Sequence, residues 1–122
     1  MFTIIHQPTY PWTVEVQLPD PAKPGKWKAQ TFVGYFKKRS DSAFREQLEQ
    51  LTDPRLDPTE RYSRENEFIE DTLVGWEGIA DEDGTPLPFN AATRAALLDM
   101  TEVRAALFDA IFKSRSKAAT KN

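Results

Sequence analysis

A chain of 122 residues, 39% hydrophobic and 29% charged, is expected to fold as one domain around one modest core. A net charge of −3 argues against a general nucleic-acid binder, because neutralising a phosphate backbone requires a basic surface. With no cysteine there is no disulfide framework, thiol nucleophile or thiolate metal site, and no apolar run approaches the roughly 20 residues a membrane span needs.

The N-terminal stretch MFTIIHQPTYPW has no basic region followed by a long apolar one, so it is not expected to be a signal peptide, and a cytoplasmic protein fits. Thr13 to Leu18 alternates Val14, Val16 and Leu18 against Thr13, Glu15 and Gln17, the period of a half-buried strand. The next seven residues, PDPAKPG, hold three prolines and a glycine and predict a loop longer than a tight turn. Trp27 to Lys37 predicts a second strand that completes a β-hairpin. It is apolar on both faces, with Phe32 and Phe36 on one and Val33 and Tyr35 on the other. One face is expected to cover the helices; the other is either a second part of the core or a partner surface.

Ser40 or Asp41 caps the first predicted helix, whose Phe44, Leu48 and Leu51 share one face, and Asp53-Pro54 ends it. After a linker containing Asp57-Pro58, a second helix is predicted to open at Ser63, with Ile69, Leu73 and Trp76 in a stripe and Gly75 and Gly78 closing it. Residues 79 to 89 read as a compact loop turning at Asp83-Gly84 and stiffened by Pro86 and Pro88. Asn90 caps a helix over Ala91 to Met100, and Thr101 a last helix from Glu102 to about Ser116. That helix places Val103, Leu107, Ala110 and Ile111 on one stripe and Phe108 and Phe112 on an adjacent one. So wide an apolar face is either buried on both sides or leaves an aromatic patch for a partner. The expected architecture is α+β: an N-terminal β-hairpin packed against about four helices in a domain over residues 1–116, then a basic flexible tail over 117–122.

No reactive constellation emerges. His6 is the only histidine and has no nucleophile or orienting carboxylate around it. A calcium loop with Gly84 at its sixth position would need ligands at Ile79 and Asn90, so the pattern fails at both ends. Asp83-Gly84 is turn chemistry instead, since both residues tolerate positive φ. From Asp41 to Asp83 there are 14 acidic and four basic residues, and from Lys113 onward four basic and no acidic ones. These carboxylates fall on outward helix faces rather than in the separate, partly buried settings that acid–base catalysis needs. Gly75 and Gly78 have no lysine at phosphate-loop spacing. The expectation is a protein that is not an enzyme and has no cofactor. Trp76 and Phe89 read as core residues, and Phe108 and Phe112 as candidates for a binding surface.

The order of these elements, a hairpin ending in TFVGYFKK, an acidic helical middle and LVGWEGIADEDGTPLPF, resembles the tail assembly chaperones of siphophages and prophages. Gly75, Trp76, Gly78, Asp81, Asp83, Gly84, Pro86, Pro88 and Phe89 carry the resemblance, followed by the paired Leu97 and Leu98. No single motif is highly specific; their order and spacing are the signal. The resemblance implies binding of the tape measure protein, recruitment of tail tube subunits, self-association, a place in the host cytoplasm and absence from the virion. It also implies a longer form made by a programmed frameshift, for which Thr120-Lys121-Asn122 allows a slippery codon run. The alternative is a small structural virion component, a tail completion or connector subunit. Expected partner-binding residues are Val33, Tyr35, Phe108 and Phe112; Gly75, Trp76, Asp83, Gly84, Pro88 and Phe89 form the structural motif.

Overall fold

In the computed structural model, which describes residues 1–117, a three-stranded antiparallel sheet is covered on one face by helices. Strands β1 (Thr9–Pro19) and β2 (Trp27–Lys37) form the hairpin, with Val14 opposite Phe32 and Tyr10 opposite Phe36. Their inward positions Val14, Val16, Phe32 and Phe36 are buried, as the alternation predicts. The connecting loop closes through Asp20 N–H to the Lys26 carbonyl, 2.9 Å, and turns at Gly25.

Helix α1 (Asp41–Leu51) starts on the Ser40 hydroxyl, which accepts the Ala43 amide, and buries Phe44 and Leu51. Helix α2 (Pro58–Thr72) begins five residues earlier than the expected Ser63. The Asp57 carboxylate accepts the Glu60 amide at 2.8 Å and Pro58 occupies the first turn, where its missing N–H costs nothing. The Asp57-Pro58 pair is therefore a helix start, not part of a linker.

A second correction falls at the other end of α2. The helix stops at Thr72, and Leu73–Glu77 is strand β3, paired with β2 through Gly75 opposite Tyr35 and Trp76 opposite Gly34. Gly75 and Gly78 do not close a helix. Leu73 and Trp76 fit a helical stripe after Ile69, but pairing with the open edge of β2 buries both of them equally well. A bulge beside Tyr35 and Phe36 leaves Val74 exposed. Gly34 lies under this contact: a Cβ there would stand 3.1 Å from Phe36 Cε1 and 3.3 Å from Leu73 Cδ1.

Helix α3 (Ala91–Leu98) opens on a reciprocal capping box, in which Asn90 Oδ1 accepts the Thr93 amide and Thr93 Oγ1 accepts the Asn90 amide. Helix α4 (Thr101–Arg115) follows almost at once. Thr101 is its first residue and Met100 its uncapped N-cap, another departure from expectation. Helix α4 runs antiparallel along β1. The Tyr10 and Ser114 hydroxyls meet at 2.7 Å at one end, and Gln17 lies near Thr101 and Glu102 at the other.

Leu107 and Ile111 of α4 meet Val14, Phe36, Ile69 and Leu73 in the core. Fully burying each such side chain contributes about 1.5–3 kcal/mol. The fold class is α+β, a hairpin with four helices, to which β3 adds a third strand. The tail expected over 117–122, with its Thr120-Lys121-Asn122 codon reading, lies outside the described residues beyond Lys117.

Candidate interaction surfaces

The segment Leu73 to Phe89 forms a structural joint. Trp76 is 9% exposed; its indole Nε1–H donates to the Leu87 carbonyl at 2.9 Å, and its ring centroid lies 4.7 Å from that of Phe89. The chain between them folds back on itself. Leu87 N–H reaches the Ile79 carbonyl, and Asp81 Oδ1 accepts the amides of Asp83 and Thr85 at 2.9 and 3.0 Å. Gly84 turns the chain at φ +82°, whereas Asp83 keeps a negative φ. With two of its own loop's amides on Oδ1, the Asp81 carboxylate acts as a turn cap. Trp76, Pro88 and Phe89 thereby lead the chain from the sheet edge into α3.

The expected partner-binding residues divide between two surfaces. Phe108 and Phe112 lie together on α4, with ring centroids 6.4 Å apart, in a seam with Phe44 of α1 and Phe68 of α2. Phe108 stacks on Phe68 and is half-buried, so much of it belongs to the core. Phe112 is 36% exposed. Arg104 extends this rim: it lies 4.3 Å over the Tyr62 ring and 5.5 Å over Phe108, while Nη2 donates to Glu65 Oε1 at 2.7 Å. At the far end Arg115 covers Phe44 at 4.2 Å and donates to the Arg39 carbonyl. The result is an aromatic strip with partly exposed Tyr62 and Phe112, edged by arginines whose charges are held by the fold.

Val33 and Tyr35 lie on the outer sheet face, opposite the helices, by strand alternation with buried Phe32 and Phe36. Both are half-buried. Tyr35 donates its phenol to Glu77 Oε1 on β3 at 2.8 Å, and that bond, with lesser desolvation and charge effects, raises the phenol's pKa. Trp27 stands on the same face at the far end of β2 and is 65% exposed. The outer face thus carries the apolar row Trp27, Ala29, Val33 and Tyr35.

The acidic middle is partly consumed by internal pairs. Asp71 accepts hydrogen bonds from Arg39 and Gln47 and has the Lys37 ammonium 3.9 Å away, and its carboxyl is held below the usual range chiefly by the Arg39 bond. Arg55 holds Asp53 down to about 2. Arg39 itself is almost buried; it also donates to the Thr72 hydroxyl at 2.8 Å, tying the end of β2 to α2. His6 lies in an exposed arm that also displays Phe2, Ile4 and Ile5. Among the described residues no group of three or more His, Cys, Asp or Glu side chains is placed to hold a metal ion, and no helix is long and apolar enough to cross a membrane.

Sequence reasoning passed over three participants. Tyr62 sits among charged neighbours of both signs, Arg104 on a helix read for its apolar stripe, and Trp27 in a strand where aromatics ordinarily signal core. The one available signal was Lys26-Trp27-Lys28, a tryptophan bracketed by charges at a loop exit.

Fold and surface together define a small α+β protein with partly exposed apolar and aromatic strips. The family model described as the YdaY prophage protein matches residues 35–122, which takes in the end of β2, β3 and all four helices. The chain belongs to that prophage protein family. No curated protein and no solved structure matches it.

Proposed function

We propose that the protein is a non-catalytic tail assembly chaperone encoded by a prophage. It would bind the long helical tape measure protein in the host cytoplasm, bring tail tube subunits to it and leave before the particle is complete. The observation that carries this reading is the strip of Tyr62, Phe108 and Phe112 across α2 and α4, next to family membership in a prophage protein. A helix-forming client exposes apolar stripes that aggregate unless covered, and a partly exposed aromatic strip suits the apolar face of an amphipathic helix. The outer-face row around Tyr35 is a second apolar surface, suited to the tube subunit.

Co-expression with a tagged tape measure protein tests the reading. The protein should co-purify with it, and Phe112→Ser should reduce recovery while leaving the far-UV circular dichroism unchanged. Mass spectrometry of purified particles separates the alternative. A chaperone is missing from them, whereas a tail completion or connector subunit is present in stoichiometric amounts.

A further inference from the structure

Strand β1 is an edge of the sheet, paired on one side only in the order β1-β2-β3. The hairpin ladder fixes which of its backbone groups are left over. Asp20 N–H bonds the Lys26 carbonyl and Lys38 N–H the Pro8 carbonyl, both at 2.9 Å, and the register between these pairs is unbroken. Hydrogen-bonded pairs recur at every second residue of an antiparallel ladder, so the even-numbered residues of β1 bond to β2. The N–H and C=O groups of Thr13, Glu15 and Gln17 therefore point away from the sheet, and no described residue outside the hairpin bonds them. Pro11 and Pro19 stand at the same outward positions, where a missing N–H breaks no ladder bond. Glu15 and Gln17 also line a groove of about 500 Å³ between β1 and the first turns of α4, with Trp27 in its wall. On the α4 side Glu102, Ala105, Ala106 and Asp109 share one helix face, small and apolar at the two alanines. Asp109 is bound to Lys113 at 3.0 Å. Glu15 and Glu102 make no ion pair with a described residue; the neutral Gln17 amide that Glu15 accepts at 2.6 Å leaves its charge uncompensated.

We propose that this edge takes an extended segment of a partner protein as a fourth strand, one in which apolar residues alternate with lysine or arginine. A strand is the structure that answers a row of outward N–H and C=O groups on every second residue. Main-chain bonds supply the affinity, and the alternating side chains supply the specificity. Those directed toward α4 meet Ala105 and Ala106. Those on the other face stand beside Glu15, where a cation directly across the strands is favourable. A second copy's β1 fits poorly, because antiparallel pairing about Glu15 sets two carboxylates against each other. The chain's own residues 1–7 are exposed along their length and leave the edge open. The contact uses neither the Tyr62–Phe112 strip nor Tyr35, so it does not depend on the client-binding reading.

Residue-resolved amide hydrogen exchange of the full chain, followed by NMR, tests it. In the free protein the amides of Thr13, Glu15 and Gln17 should exchange rapidly while those of Val14 and Val16 are protected. The probe is the peptide acetyl-Lys-Val-Lys-Val-Lys-amide. At about ten times its dissociation constant it should slow the three outward amides roughly tenfold and leave Val14 and Val16 little changed. Loose adsorption of a cation does not produce that alternation. The counterpart peptide with glutamate for each lysine should bind roughly tenfold more weakly, and Glu15→Lys with Glu102→Lys should reverse the preference. Ala105→Leu, at an exposed position of α4, should narrow the groove and weaken the basic peptide while the circular dichroism stays unchanged. Outward amides already protected in the free chain overturn the proposal, because a second copy or the N-terminal arm then covers the edge. So does a basic peptide that leaves their exchange unaltered.

Discussion

Replacing Trp76 by phenylalanine probes the joint between the sheet and the C-terminal helices. The substitution removes the indole N–H that donates to the Leu87 carbonyl at 2.9 Å, and a hydrogen bond of this kind contributes about 1 kcal/mol net. Trp76 is 9% exposed, so the missing ring atoms leave space that the bulged β3 and the tight Gly34 contact can fill only in part. That adds roughly 1 kcal/mol, while most of the contact with Phe89 survives. The sum, about 2 kcal/mol, corresponds to a fall of roughly 8 °C in Tm for a domain of this size. Trp76→Ala should cost about 3–5 kcal/mol, as truncation of a buried aromatic does. Urea titration followed by circular dichroism measures both. A loss below about 0.5 kcal/mol for Trp76→Phe would refute the reasoning, because the indole would then be neither anchored nor packed as described.

Gly34→Ala should destabilise by about 1–3 kcal/mol, since the new methyl meets the buried Phe36 and Leu73 at 3.1 and 3.3 Å; thermal unfolding checks it. Asn90→Ala breaks the capping box of α3 and should cost about 1 kcal/mol in the same assay, whereas Asn90→Ser should cost much less. Asp71→Asn has a pH signature. The Arg39 bond lowers the folded pKa of Asp71 from its ordinary 3.8, so its stabilisation is present above that value and disappears as pH falls through the lower folded one. The variant should therefore be less stable at neutral pH and show a shallower loss of stability below about pH 4; parallel profiles for the two proteins would contradict the assignment.

Much of the fold was legible because local and tertiary demands agree. Val14 and Val16 alternate in sequence and are buried in the hairpin, and Ser40 and Asn90 cap helices whose apolar stripes begin just beyond them. Strand β3 was not legible. Leu73 and Trp76 continue the helical spacing from Ile69, and only the open edge of β2, a feature of the assembled sheet, draws them into a strand. The start of α2 was missed for a local reason: Asp57-Pro58 is a turn signal as well as a cap followed by proline, and its cap hydrogen bond decides between them. At the candidate surface, the double apolar face of α4 was visible, but periodicity cannot say how a ring is shared. Phe108 lies against Phe68, and Phe112 keeps about a third of its surface. The exposure of Trp27 depends on where α4 begins its course along β1, which no local pattern encodes.

In the function we propose, this prophage protein keeps a helical tail component soluble through the Tyr62–Phe112 strip. Its most direct test is the soluble fraction of the tape measure protein expressed with and without this chain, measured by ultracentrifugation of cleared lysates. The account predicts that the tape measure protein moves from pellet to supernatant when the wild-type chain is present and stays in the pellet with a folded Phe112→Ser, Tyr62→Ser variant. A distribution unaltered by the wild-type chain would contradict it.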